Sequence, residues 1–153
     1  MFINEVIKDI NNMTLQDFMT GVKGLDAIFH GIDTQKVSDY YLKNVNTSKP
    51  LYLRFAFSDL TGDLALKCST YSFAKQFAIA VKDMHRVYFY ELFYASKTFA
   101  KILNCDIPTM GICHAMDLPF VFGLPFIRPD YEPEDAYWSK HMMDMWTKFA
   151  KDG

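Results

Sequence analysis

The run Val87-Tyr88-Phe89-Tyr90-Glu91-Leu92-Phe93-Tyr94 restricts the folding of this chain more than any other feature. It is short, rich in aromatic residues and poor in helix formers, a pattern that predicts a buried strand rather than a helix. A strand needs neighbours, yet most of the remaining pattern is helical. A sheet of one or two strands is too small to stand alone. The order helix, strand, functional loop and helix suits an α/β protein better than an all-α bundle, and the missing strands suggest a piece of a larger sheet.

The helical segments carry their own start signals. Thr14 stands three residues ahead of Asp17, and Leu15, Phe18, Met19 and Val22 follow at helical spacing, which predicts a capped helix ending near Gly21 or Gly24. Asp33 is placed to cap a second helix with Val37, Tyr40, Tyr41 and Val45 on one face, before residues 46–50 break the pattern. Leu51 to Asp59 is apolar and aromatic on both faces, and Gly62-Asp63 is read as its interruption. A further helix from Ser69 or Thr70 would bury Phe73, Phe77, Ala78 and Val81. Lys97 to Arg128 reads as irregular. Pro133-Glu134-Asp135 then announces a last helix with the stripe Trp138, Met142, Met145, Trp146 and Phe149. No repeat, low-complexity segment or linker divides the chain, so it is read as one unit.

Half of the 153 residues are apolar, and fourteen phenylalanines and nine methionines point to a densely packed core. A net charge of -2 without clustered Lys and Arg argues against nucleic acid as a partner. Cys68, Cys105 and Cys113 show no metal-ligand spacing, so neither a metal nor a cofactor is expected. Their odd number means that a disulfide framework cannot close wholly within the chain. The first residues, Met-Phe-Ile-Asn-Glu-Val-Ile-Lys, lack the basic flank and apolar run of a signal peptide, and no apolar run reaches membrane-spanning length.

The chemistry concentrates in Gly111-Ile112-Cys113-His114-Ala115-Met116-Asp117-Leu118-Pro119-Phe120-Val121-Phe122-Gly123-Leu124-Pro125. This stretch resembles the histidine loop of type-B carboxylesterases and cholinesterases, in which glycine lies three residues before the histidine and an acid three after it, leading to Leu-Pro-aromatic-Val-Phe-Gly. Val87 to Tyr94 resembles the strand that delivers that loop, and Gly62-Asp63, Cys68 and Phe73-Ala74 resemble the segment before it. Met143, Trp146, Thr147, Phe149, Ala150, Lys151 and Gly153 resemble the family's following helix. The likeness runs from about Thr14 to the last residue.

The resemblance implies the C-terminal part of an α/β-hydrolase fold, mostly helices with one or two sheet strands. Residues 1–153 would form a partial catalytic domain of a serine esterase acting on small carboxylic esters. Such chemistry needs an imidazole that takes the serine proton and returns it to the leaving alcohol, and His114 is the expected catalytic residue. Asp117 takes the family's acidic position, where a carboxylate supports the site's hydrogen bonds; a helix cap or turn acceptor is the plainer reading. His30, His85 and His141 have no comparable motif and receive no role. Cys113 adjoins His114 in sequence, but neighbouring residues rarely face one another as nucleophile and base must.

Several parts are missing. None of Ser38, Ser48, Ser58, Ser69, Ser72, Ser96 and Ser139 has the Gly-x-Ser-x-Gly frame of a nucleophile elbow. The chain order serine, acid, histidine then puts the other triad members upstream, and the chain alone is expected to be inactive. Glu5 is the nearest carboxylate to the family's acid, but Val6 follows it instead of glycine; Phe2 would line the gorge if the chain begins just past that acid, an ordinary buried aromatic being the plainer reading. Ala115 replaces a usual glycine, and Met116 stands where cholinesterases carry a gorge-lining aromatic, which weakens the case for choline esters. Cys68 matches a disulfide position whose partner would lie beyond Gly153. Relatives implied by the resemblance are secreted or held at the cell surface. The alternative is a non-catalytic adhesion or binding protein of the neuroligin type, against which His114 and Asp117 speak.

Overall fold

The computed structural model describes residues 10–82 and 84–153. The chain divides into two compact units, Met1–Thr70 and Tyr71–Gly153. Among the described residues the regular structure is helical throughout, and none of those helices is long and apolar enough to cross a membrane.

In the first unit a short 3-10 turn, Ile10–Asn12, leads into α1, Leu15–Phe29. Thr14 caps α1: its hydroxyl accepts from the Asp17 amide at 3.2 Å, and the Asp17 carboxylate accepts from the Thr14 amide at 2.9 Å. The helix runs past Gly21 and Gly24, contrary to the sequence expectation. Each interior glycine costs about 1 kcal/mol against alanine, but Phe18, Val22 and Leu25 continue one buried stripe through them. The stop comes at His30 and Gly31, whose φ angles of 56° and 86° turn the chain left-handed. Asp33 caps α2, Thr34–Tyr41, by accepting from the Lys36 amide at 3.1 Å. Val37, Tyr41 and Val45 pack on the core, while Tyr40 points to solvent.

Helix α3, Pro50–Gly62, does not end at Gly62-Asp63. Gly62 keeps helical angles, and Asp63–Lys67 forms a π turn that passes directly into α4, Cys68–Val81. The wider turn absorbs an extra residue without breaking the helix path. Leu53, Ala56, Phe57 and Leu60 of α3 meet Phe18, Val22 and Leu25 of α1 and Met13 before it. Phe18 and Phe57 meet edge to face, with ring centres 5.7 Å apart. Tyr41 donates to Asp63 at 2.8 Å, and burial followed by that carboxylate pushes the phenol well above its ordinary pKa.

The second unit departs further from the expectations. Val87–Tyr94 is not a strand: no sheet is present among the described residues, and this segment has no regular secondary structure. A ladder needs a second strand alongside, and helices take that place. Tyr88 meets Phe149, Tyr90 meets Trp146 and Tyr94 stacks on Trp138, so the even-numbered side chains descend α9, Pro133–Asp152, in antiparallel order. Phe89 turns the other way, onto Tyr71. The alternation is that of an extended chain, but the faces are not closed: Phe93 is 80% exposed. The expected buried stripe of α4 is also open, with Phe73 70% exposed and Phe77 exposed.

Residues 97–128 are less irregular than expected. They hold α5 (Lys97–Ile102), α6 (Ile107–Met110), α7 (Leu118–Val121) and α8 (Leu124–Ile127). Proline at the first or second position of α6, α7 and α8 presets the backbone of each short turn. Of the last helix's expected stripe, Met142 is buried, whereas Met145, Trp146 and Phe149 are exposed. The buried centre beside it is polar. Asp135 accepts from the Tyr94 hydroxyl at 3.0 Å, the Ser96 hydroxyl at 3.0 Å and the Glu132 amide at 3.1 Å. Ser139 donates to the Phe120 carbonyl at 2.8 Å, which ties α9 to α7.

Candidate functional site

The histidine loop begins at the end of α5. Cys105 is buried, donates its amide to the Ala100 carbonyl at 2.8 Å, and forms a disulfide with Cys113. Between them lie α6 and Gly111, whose angles of 68° and -147° are open essentially to glycine alone. The loop's sulfur chemistry is therefore internal to it. Cys68 is exposed and outside this disulfide.

Cys113, His114, Ala115 and Met116 form a β-turn, closed by the Met116 amide on the Cys113 carbonyl at 3.3 Å. His114 is its first corner. Ala115, the second corner, has φ 71°, the value a type II turn demands and the reason glycine is favoured there. Both ends of the turn are anchored in one apolar cluster: Met116 is buried with Ala100 and Cys105, and Cys113, Ala95, Phe99 and Ile107 pack around them. His114 is consequently held out into solvent between two fixed points. No side-chain hydrogen bond engages its ring among the described residues.

Asp117 follows at the N-cap position of α7. Its carboxylate makes no cap bond there, and instead accepts from the Tyr90 hydroxyl at 3.2 Å. Burial first, then the Asp117 charge, raises the Tyr90 phenol above its ordinary pKa, so it stays a neutral donor at neutral pH. The structure thus does not join His114 and Asp117 by a hydrogen bond. It links Asp117 to the 87–94 segment, and so fixes the start of α7 immediately after the histidine turn. Glu5 and Phe2 lie outside the described residues.

Tyr90 and the Cys105–Cys113 link escaped the sequence reading. For Tyr90 the available signal was the even-numbered spacing with Tyr88 and Tyr94, which puts all three on one face of an extended segment. For the disulfide no signal chose one pair among three cysteines.

The carboxylesterase family model matches residues 8–153. The chain belongs to the carboxylesterase family. It is 29% identical to a mouse cholinesterase (Mus musculus) over 138 residues, covering 86% of this chain and 21% of that protein. It is 33% identical to a rat acylcarnitine hydrolase (Rattus norvegicus) over 110 residues, covering 71% of this chain and 18% of that protein. It is 29% identical to an acetylcholinesterase of Bungarus fasciatus over 138 residues, covering 90% of this chain and 22% of that protein. The chain thus spans about a fifth of the length of the curated relatives it matches. Membership implies an α/β-hydrolase architecture, of which the described residues contribute helices and no sheet.

Proposed function

We propose that these residues supply the histidine of a serine esterase that hydrolyses small carboxylic esters. The supporting observation is His114 itself, held in solvent at the corner of a turn whose two ends pack on one apolar cluster, in a chain of the carboxylesterase family. A base must reach a proton outside its own backbone, and an exposed corner on a packed base meets that requirement.

In this reading the neutral His114 imidazole takes the proton of a serine hydroxyl as the oxygen attacks the ester carbonyl. It returns the proton to the departing alkoxide, leaving an acyl-enzyme. Water then repeats the cycle: His114 accepts its proton, and the serine oxygen leaves protonated. Tyr90 and Asp117 hold the downstream side of the turn. The serine, its acid and the oxyanion donors come from polypeptide ahead of residue 1, so the 153-residue chain alone is inactive.

That upstream part of the same domain is also the proposed partner for the open aromatic faces. Phe73, Phe77, Phe89 and Phe93 are exposed in the second unit, and the matched relatives are about five times longer than the matched region. An extended aromatic segment with one face on a helix is suited to joining a sheet. The Cys105–Cys113 disulfide supports an oxidising location, extracellular or at the cell surface.

Assay of a chromogenic short-chain ester tests the proposal. The full-length protein should turn it over in an organophosphate-sensitive manner, the isolated chain should not, and His114→Ala should lower kcat by roughly 10⁴-fold or more. An unchanged rate in that variant overturns the assignment. Absence of turnover in the full-length protein would favour the non-catalytic binding reading.

A further inference from the structure

We infer that the Cys105–Cys113 disulfide is the positioning device of His114, and that opening it uncouples the histidine turn from its base. The inference rests on the esterase reading for its catalytic consequence, but its structural half stands independently.

Three observations carry it. First, Cys113 is the residue before His114, and its disulfide partner Cys105 is only 7% exposed at the end of α5. The link therefore joins the residue that opens the turn directly to the packed end of α5. Second, the polypeptide route between the same two points is held by one helical turn, whose last bond runs from the Gly111 amide to the Ile107 carbonyl at 2.9 Å. It passes through α6, a single helical turn, and then Gly111 in a region of backbone space with no side chain to restrict it. Third, the opposite end of the turn is held differently, by the burial of Met116. The bond across the turn, at 3.3 Å, is at the long limit for an amide donor. Without the sulfur link, the N-terminal side of the turn keeps only the packing of the Cys113 side chain on the cluster, while the C-terminal side keeps the buried Met116.

Reduction by a dithiol proceeds in balanced steps. A thiolate of the reagent attacks one sulfur of the pair, the S–S bond breaks, and a mixed disulfide forms while the other cysteine leaves as a thiolate and is protonated. The second reagent thiolate closes its own ring and releases the remaining cysteine thiol. Two electrons and two protons pass from the dithiol to Cys105 and Cys113. Cys113 then moves with the glycine hinge, and the alignment of His114 with the serine oxygen is lost by displacement alone. A shift of about 1 Å at a reacting group is enough to cost roughly 10²-fold in rate.

The test uses the full-length protein in native, dithiothreitol-reduced and reoxidised states, beside Cys105→Ala/Cys113→Ala and a Cys68→Ser control. Iodoacetamide labelling of the native state should spare Cys105 and Cys113. Reduction should lower kcat for a short-chain ester about 10-fold or more with KM within about twofold, and reoxidation should restore it. Amide exchange at Met116 should accelerate about tenfold on reduction while exchange at Leu53 stays constant. The double variant should match the reduced state, and Cys68→Ser the native one. If the double variant fails to fold, reduction and reoxidation of the native protein decide the matter. Native labelling of Cys105 and Cys113, or a reduced state with unchanged exchange at Met116, overturns the inference. Unchanged kcat with accelerated exchange overturns its catalytic half. A native protein without ester turnover overturns the esterase reading alone, and the exchange result still decides the anchoring.

Discussion

Among the described residues the first unit closes around apolar side chains, whereas the second sets a buried carboxylate and its donors beside a small apolar cluster and leaves many aromatic rings open. In the first unit, Phe18, Val22, Leu25, Leu53, Phe57 and Leu60 interdigitate, and polar links such as Tyr41 to Asp63 sit at the margin. In the second, Asp135, Ser96 and Ser139 are fully buried, and hydrogen bonds decide where the last helix lies. The difference teaches that the first unit is specified by volume and the second by partners. A polar centre tolerates few errors, because each lost partner strands another group without water. It also fixes geometry sharply, which is what a segment carrying a histidine turn requires.

The largest test of this contrast is Phe57→Ala. Truncating a fully buried ring should cost about 3–5 kcal/mol. Both tryptophans, Trp138 and Trp146, belong to the second unit, so urea unfolding followed by their fluorescence reports that unit, while helical circular dichroism reports both. The dichroism midpoint should fall and the fluorescence midpoint should hold. An equal fall in both would show one cooperative body and erase the contrast.

Asp135→Ala comes next. It leaves the Tyr94 and Ser96 hydroxyls and the Glu132 amide without their acceptor, a loss of about 2–4 kcal/mol. Here the tryptophan transition should move, and more than it does for Tyr94→Phe, which removes one donor only. Equal effects would mean that the carboxylate is not the organising group.

A smaller and graded effect is expected in alkali. Burial and the adjoining carboxylates raise the phenols of Tyr41, Tyr90 and Tyr94 above their ordinary value. A raised folded-state pKa means that the stabilisation is complete below the unfolded value of about 10 and is lost as pH climbs through the folded one. Stability measured from pH 8 to 11 should be level at first and fall beyond pH 10 in both units. Replacing Tyr94 by Phe should flatten that fall in the tryptophan signal.

The smallest expected change is a gain. Ala115 has a left-handed φ of 71°, and glycine there relieves roughly 1 kcal/mol of strain, partly offset by the greater freedom of the unfolded chain. Ala115→Gly should raise the second unit's midpoint slightly. A lowered midpoint would show that the methyl group contributes packing beyond its strain.

Much of the first unit was legible in the sequence because its signals are local. The caps at Thr14 and Asp33 act over three residues, and the stripe of α1 is visible in its spacing. What failed there was punctuation: Gly21, Gly24 and Gly62 read as stops but are carried by the packing on either side. In the candidate site, His114 and Asp117 are candidates through the motif around them. The turn that presents His114, the disulfide behind it and the role of Tyr90 were not legible, because each depends on a residue at a distance. Ala115 departs from the usual glycine, and only the positive φ gives that glycine a cause.

The sequence by itself determined that helices start after Thr14, after Asp33 and at Pro133, and that the 87–94 run is extended with alternate side chains to opposite sides, since these follow from backbone sterics and neighbours within a few residues. Tertiary structure decided that Tyr88, Tyr90 and Tyr94 lie along α9 instead of in a ladder, that Asp135 collects three donors, and that Cys105 closes on Cys113. Those outcomes depend on which distant groups the folded chain brings within reach. Periodicity can name a face, but only the folded chain supplies what that face meets.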